Sequence, residues 1–404
     1  MLELDYYLIF NLYFFILIYL DYNATTPVDE RVLAEMLPFF SEHFGNANSS
    51  THEFGWYASG AIEKARQQVA HFIEAEPSEI IFTSGATEGI NMALKGIFEA
   101  YKSKGNHIIT TQTEHKAVLD TCDYLKELGA TITYLKVDRE GRIDLDELKA
   151  SFTPKTILVS AIAANNETGV LQDLEKISEI THQHEAIFFS DTTQLAGKLP
   201  IDVNEMGIDV CCISGHKLFA PKGVGALYVR RKNPRVNLIP LFHGGSQENG
   251  KRSGTLNVPS IVGLGKACEI AKTEFWENNA HISKIRRYLE HQLLEVPELR
   301  INGSTRYRLY NTSNIYFPKL KNGDTLFSHL KSKYAVALGS ACTSATTESS
   351  HVLNAMGLSK EEAENSIRFS LSKYNTKEEM EGLVNFIFEL YGIQLPSQVI
   401  IKRN

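Results

Sequence analysis

The sequence predicts an α/β fold: a large domain built on a mostly parallel, mixed sheet flanked by helices, with a smaller α+β domain. Three observations carry that expectation. Between about residues 30 and 270, short apolar runs alternate with stretches of helical period, the pattern of a parallel sheet whose crossovers are helices. The runs are nearly continuously apolar, as strands covered on both faces must be. Polar or charged residues follow directly after five of these runs, and ligands of such sheets bind beyond the carboxyl ends of the strands.

The elements are expected in this order. Residues 18–21 form a first strand. Residues 80–83 form the next, closed by Ser84-Gly85, with a helix from Ala86 to about Ala100. A strand at 107–110 leads into a helix at 117–128, ended by Gly129. Strands follow at 131–137, 156–163, 186–190 and 210–214, with a helix at 173–184. A long charged helix covers about 262–294. Beyond it, strands at 312–317 and 335–338 mix with helices near 348–356, 359–366 and 376–391. A smaller α+β domain is expected from about 273 onward.

Composition narrows the function classes. A chain of 404 residues suggests two or three domains at roughly 150 residues each. A net charge of −7 and a pI near 6.0 argue against a nucleic-acid partner, whose footprint is basic. Five cysteines are too few for a disulfide scaffold and fit a reducing, cytoplasmic compartment. Residues 6–20 are almost wholly apolar and uncharged. The run is shorter than the roughly 20 residues a membrane helix needs and is interrupted by Asn11. Glu3 and Asp5 precede it, and no basic residue occurs before Arg31, so it lacks a signal peptide's basic front. Residues 1–17 are therefore expected to be an apolar extension rather than an anchor.

Nucleotide motifs fail on inspection. Gly245–Lys251 matches most of a Walker A loop, but Arg252 stands where the magnesium-binding hydroxyl belongs. Gly263-x-Gly265 lacks the third glycine of a dinucleotide fingerprint. His182 and His184, two apart on a helix, face different ways and are expected on a solvated face. No resident metal is expected.

The five strand ends are more informative. Lys217 lies just after the run 210–214, where desolvation makes an amine a good Schiff-base former. Asp191 ends the preceding strand. A reactive lysine with a carboxylate for a pyridinium nitrogen is the pair that pyridoxal 5'-phosphate requires. Gln194, three residues on, can bond the ring oxygen. Ser84-Gly85-Ala86-Thr87 opens a helix, and a helix N-terminus with a small, hydroxyl-bearing turn suits a phosphate. Ser214 and His216 can reach the same phosphate, and His115 can stack on the ring and move protons. The segment Gly339–Glu348 is small and polar and carries Cys342, an available thiol nucleophile. Arg368 can grip a substrate carboxylate bidentately.

These segments resemble the pyridoxal-phosphate-dependent cysteine desulfurases of the bacterial iron–sulfur assembly type. The resemblance is carried by Tyr19–Pro27, Thr83–Glu88, Asn165–Gly169, Ser214–Lys217, Arg252–Thr255, Gly339–Ser344 and Ser366–Ser370, in that order, and it covers about 18–390. It implies the aspartate-aminotransferase-like fold, with a large domain at 30–272 and a small domain made of both chain ends, 18–29 with 273–404, and a homodimer. Lys217 is implied as the cofactor-bonding lysine, with Asp191, Gln194 and His115 as ring partners. Ala86, Thr87, Ser214 and His216 are implied at the phosphate, joined by Thr255 from the other subunit. Asn166 and Arg368 are implied as anchors of the L-cysteine carboxylate. Cys342 is implied as the acceptor of sulfur, as a persulfide passed to iron–sulfur scaffold or other acceptor proteins for cluster assembly or tRNA thiolation, with transient contact to a cluster. Few residues around Cys342 are inserted or lost, which matches the long-loop subgroup. The sequence departs from the family at Phe219 and Ala220, which replace a usual tyrosine and glycine, and at Lys251. A selenocysteine lyase, a desulfurase for DNA sulfur modification and a catalytically dead scaffold share much of this pattern. A retained Lys217, Asp191, His115 and Cys342 argue against the scaffold.

Overall fold

Six strands of the predicted alternation and one further strand come together in one sheet. The computed structural model describes residues 17–339 and 349–393. After a short strand β1 (Ile18–Tyr19), the sheet takes β2 (Ile80–Thr83), β3 (His107–Thr111), β4 (Thr131–Leu135), β5 (Thr156–Ser160), β6 (Ile187–Asp191), β7 (Val210–Ser214) and β8 (Gly225–Val229). Their spatial order is β2-β8-β7-β6-β5-β3-β4. Strands β3 to β7 pair in parallel, whereas β8 runs antiparallel to both β2 and β7. The sheet is thus mixed, and the five ends named from the sequence share one edge. β8 was not among the predicted strands. It returns directly from the Lys217 turn, so no helix separates it from β7.

Both faces of the sheet are buried, and the strands divide their side chains between two cores. Phe188, Cys211, Ile213, Ala226 and Tyr228 face one cluster, while Ile187, Phe189, Val210, Cys212 and Leu227 face the other. The first face is covered by α1 (Glu53–Phe72) and the first half of the long helix. The second is covered by α2 (Ala86–Tyr101) and α3 (Lys116–Glu127). Period-two alternation of apolar side chains toward both faces explains why the runs read as continuously apolar.

The long helix α4 (Val258–Leu293) spans two cores. Its residues from Val258 to Ile270 pack on the large sheet, and those from Phe275 to Leu293 pack in a third cluster. That cluster includes Leu20, Ile315, Phe317, Ile367 and Phe369, and residues of the final helix α5 (Lys377–Tyr391). Its sheet is β9 (Arg300–Ile301), β10 (Thr312–Tyr316) and β12 (Ser366–Ser370), antiparallel in the order β12-β10-β9. β1 pairs in parallel with β11 (Tyr334–Ala335), so the predicted strand 335–338 is shorter and begins one residue earlier.

One expectation needs correction. His182 does not lie on a fully solvated face: its Nε2 meets the buried Asp209 carboxylate at 2.8 Å, and the ring of His184 stacks on Phe152. The two histidines do face apart. Among the described residues no helix is long and apolar enough to cross a membrane. Residues 1–16, which hold most of the apolar front run, lie outside the described residues.

Candidate active site

The five strand ends open into one cavity of about 460 Å³. Ten of the predicted residues line it: Ala86, Thr87, His115, Asn166, Asp191, Gln194, Ser214, His216, Lys217 and Arg368. Each is positioned by a local device. Gly85 turns the chain from β2 into α2 with a φ of 149°, a backbone open to glycine at little cost. An added Cβ there would stand 3.6 Å from Ser214 Oγ, so the turn and Ser214 close around one small space. The backbone N–H groups at the start of α2 have no intrahelical partners and suit an anion.

His115 caps α3. Its Nδ1 accepts from Ala117 N at 3.1 Å, so the proton of a neutral ring sits on Nε2. Asp191 ends β6, and its Oδ1 accepts from Thr193 N at 2.9 Å. Lys217 closes a single helical turn after β7. Its Nζ donates to the carbonyl oxygens of Asn23 and Ala24. The departures at Phe219 and Ala220 are absorbed: Phe219 takes a left-handed φ of 61°, and its N–H is held by Thr26 Oγ1 at 2.8 Å.

The opposite wall is tied by contacts between distant parts of the chain. Arg368 is fully buried on β12. Its Nη1 donates to Asn166 O at 2.8 Å and its Nη2 pairs with Asp21. Among the described residues its buried Nε has no hydrogen-bond partner. Asn23, given no role by the sequence reading, is the hub of this wall. Its Nδ2 donates to Asn166 O and Thr312 Oγ1, its Oδ1 accepts from Asn311, and its carbonyl accepts from both Gln194 and Lys217. The signal for it was a buried polar residue beside Asp21 in a segment otherwise read only as a motif.

Charge in the cavity follows burial. His216 is pushed down to about 4 by burial and then by Lys217, Lys222 and Lys198, so its ring is neutral near pH 7. Glu114, next to His115, is pushed up to about 8 by complete burial and then by Asp191. The four described cysteines, Cys122, Cys211, Cys212 and Cys268, are buried and unpaired by disulfides. Burial raises every one of these thiols, which removes them as nucleophiles near neutrality.

Two predicted residues are not in this cavity. Thr255 is exposed on the loop before α4 and does not line it. Cys342 lies outside the described residues. The described ends of its segment both meet the site. Ala337 bridges to Arg368, while Ser350 donates to Glu167 Oε2 and His351 Nε2 meets Glu114 O at 3.0 Å.

Comparison with known proteins agrees with this geometry. The aminotransferase class-V family model matches residues 18–383. A protein of Mannheimia succiniciproducens named cysteine desulfurase IscS is 49% identical, over 92% of this chain and 91% of its own. The solved structure of a NifS-like protein superposes with a TM-score of 0.84 at 40% identity, covering 93% of this chain and 99% of its own. A structure entitled SspA in complex with cysteine gives a TM-score of 0.78 at 37% identity, covering 89% and 99%. The chain belongs to the aminotransferase class-V family, among its cysteine desulfurases.

Proposed function

We propose that this cavity binds pyridoxal 5'-phosphate and L-cysteine, and that the protein releases alanine while passing the sulfur to Cys342. The observation that carries the reading is the convergence of Lys217, Asp191 and His115 from three strand ends, and of Arg368 from the middle of β12, on one cavity. The residues fit the cofactor. A helix N-terminus beside a glycine cradle suits its phosphate, with Thr87, Ser214 and His216 as side-chain ligands. Asp191 suits the ring nitrogen, Gln194 the ring oxygen and His115 the ring face. When bound, the cofactor supplies an electron sink for bonds at the substrate α-carbon.

The chain's own residues do the rest. Arg368 and Asn166, both on the cavity wall, hold the substrate carboxylate. Lys217 Nζ takes the α-proton and returns it at the end. His115 Nε2, the protonated nitrogen of its neutral ring, exchanges protons near the substrate. The Cys342 thiolate attacks the substrate sulfur: a sulfur–sulfur bond forms and the Cβ–S bond breaks, its electron pair staying with Cβ, which is then protonated to give alanine. Cys342 is the remaining cysteine of the five once the four buried ones are set aside, and that supports its role. The persulfide then passes to an acceptor protein, the long-loop behaviour the resemblance implies.

Three coarser features belong to the same reading. Thr255 is exposed outside its own chain's cavity, which supports its serving the phosphate of a partner subunit in a homodimer. Exposed Phe40, Phe44, Phe54, Trp56 and Tyr57 form an apolar surface of the kind subunits bury. The separate cores along α4 support a division into 30–272 and 18–29 with 273–404. Chemistry through a free thiol needs a reducing compartment, in keeping with the cytoplasm.

The test is incubation of the purified, cofactor-loaded protein with L-cysteine. Alanine is expected in step with sulfide, and Cys342 gains the mass of one sulfur. Absence of alanine, or turnover undiminished in Cys342→Ala with an acceptor present, overturns the reading.

A further inference from the structure

Lys198 is a buried lysine to which the mechanism above gives no task. It sits at the end of the turn after β6. Gly197, at a φ of 74°, folds the chain back, and Lys198 N bonds Leu195 O at 2.9 Å. Its Nζ therefore returns beneath Gln194, donating to Gln194 O and to Gln194 Oε1, both at 3.1 Å. Among the described residues no carboxylate lies within ion-pair distance of it. The acidic groups on the small neighbouring cavity, Asp29 and Glu274, are already paired with Arg31 and Lys373. The nearby charged group that acts on it is Lys217, of like sign.

A buried ammonium without a counter-ion is costly, and an apolar side chain would fill the same volume. What the ammonium supplies is direction. It has donors and no acceptor, so the facing atom of the Gln194 amide must be the oxygen. The amide nitrogen is thereby turned to the other side, where it donates to Asn23 O at 3.0 Å and where Gln194 lines the cavity. Lys198 and Asn23 O hold the amide in this orientation from its two ends; a flipped amide would turn its oxygen to the cavity, where it would repel an anionic ring oxygen.

We infer that Lys198 is a positioning residue: it fixes the Gln194 amide so that only N–H donors face the cofactor's ring oxygen, and it sets the charge beneath Lys217. The inference rests on the reading of the cavity as a pyridoxal phosphate site. Burial and Lys217 push the Lys198 amine down to about 7; a negative ring oxygen nearby favours the charged, donor-only form.

The experiment is a double-mutant cycle on the apoprotein reloaded with pyridoxal 5'-phosphate, using Lys198→Met, Gln194→Leu and the double variant. Two quantities are read besides turnover: the dissociation constant of the cofactor and the pH midpoint of its visible absorption band. Lys198→Met is expected to weaken the cofactor by about tenfold, the scale of one charge-assisted hydrogen bond, and to raise the midpoint, because the donor to the ring oxygen and a neighbouring positive charge are both lost. Gln194→Leu is expected to act in the same direction; in its presence Lys198→Met should add little to the loss of affinity, while the midpoint still rises by the effect of the lost charge. A Lys198→Met protein matching wild type in both quantities overturns the inference, as do two effects on affinity that simply multiply. Should Lys198→Met fail to fold, Lys198→Gln, neutral and able to accept as well as donate, takes its place in the same cycle, with the same two results deciding. A wild-type protein that takes up no cofactor sinks the reading of the cavity instead, so the two failures are distinguishable.

Discussion

The two walls of the cavity are built by different physics. One wall consists of strand ends of the seven-stranded sheet: Gly85, His115, Asp191, Ser214 and Lys217 each follow directly from a strand or cap a helix. Their placement follows mainly from the local turn and the shared edge of the sheet, with Lys217 Nζ also bonding the Asn23 and Ala24 carbonyls. The other wall, with Asp21, Asn23, Asn166 and Arg368, is held by hydrogen bonds between residues hundreds of positions apart. The difference teaches that chemistry and substrate grip can be altered separately. The first wall tolerates loss of a functional group without unfolding, whereas the second is part of the structure that joins the chain's two ends.

Substitutions can break or sharpen this contrast. The largest expected effect is on the strand-end wall. Lys217→Ala should reduce alanine formation on the order of 10³-fold or more, the scale of a lost acid–base group, while leaving the denaturation midpoint of the cofactor-free protein nearly unchanged. A large loss of stability would remove the distinction between the walls. Next is Arg368→Met on the tethered wall. It leaves Asp21 and Asn166 O without their buried partner and should cost about 3–5 kcal/mol by denaturant titration, besides raising the KM for cysteine.

Glu114→Gln probes the strand-end wall through pH. The folded protein holds this proton up to about pH 8, whereas the unfolded chain releases it near the ordinary value of 4.5. Between those limits the folded state binds more protons, so this group's contribution to stability falls as pH rises and levels off above about 8. The variant lacks that loss, so its advantage over wild type should grow with pH, reaching on the order of a few kcal/mol. Denaturation of both apoproteins across that range measures it, and parallel pH profiles contradict the assignment. The smallest effect is Asn23→Ala. It strips the side-chain bonds to Asn166, Thr312 and Asn311 but keeps the carbonyl that Lys217 and Gln194 use. A cost of about 2–3 kcal/mol with an unshifted visible band is expected, and a shifted band would show that the walls are not separable.

Much of the strand-end wall was legible in the sequence, because an apolar run and its terminal residue are neighbours in the chain. The run 210–214 matches β7, and Lys217 follows it in both. Boundaries were looser where a ladder fades. Residues 161–163, read as strand, lie past the end of β5, although Ala161 and Ala163 still donate to Phe189 O and Asp191 O. β8 was missed because nothing in Gly225–Val229 announces its reversed direction; only its pairing with both β2 and β7 does. Lys198 was missed because its task depends on an amide oxygen a turn away, and Asn23 because its partners lie in five other segments.

The sequence alone was sufficient for the alternation of strands and helices, the residues at their ends and the chemistry those residue types allow, since each follows from local periodicity and local turns. Tertiary structure decided what is buried and what faces what. It closed four cysteines into the core and raised their thiols. It set Arg368 against Asp21, and it turned the Gln194 amide toward Lys198. Those outcomes depend on desolvation and on contacts between distant segments, and neither is a property of any single stretch of chain.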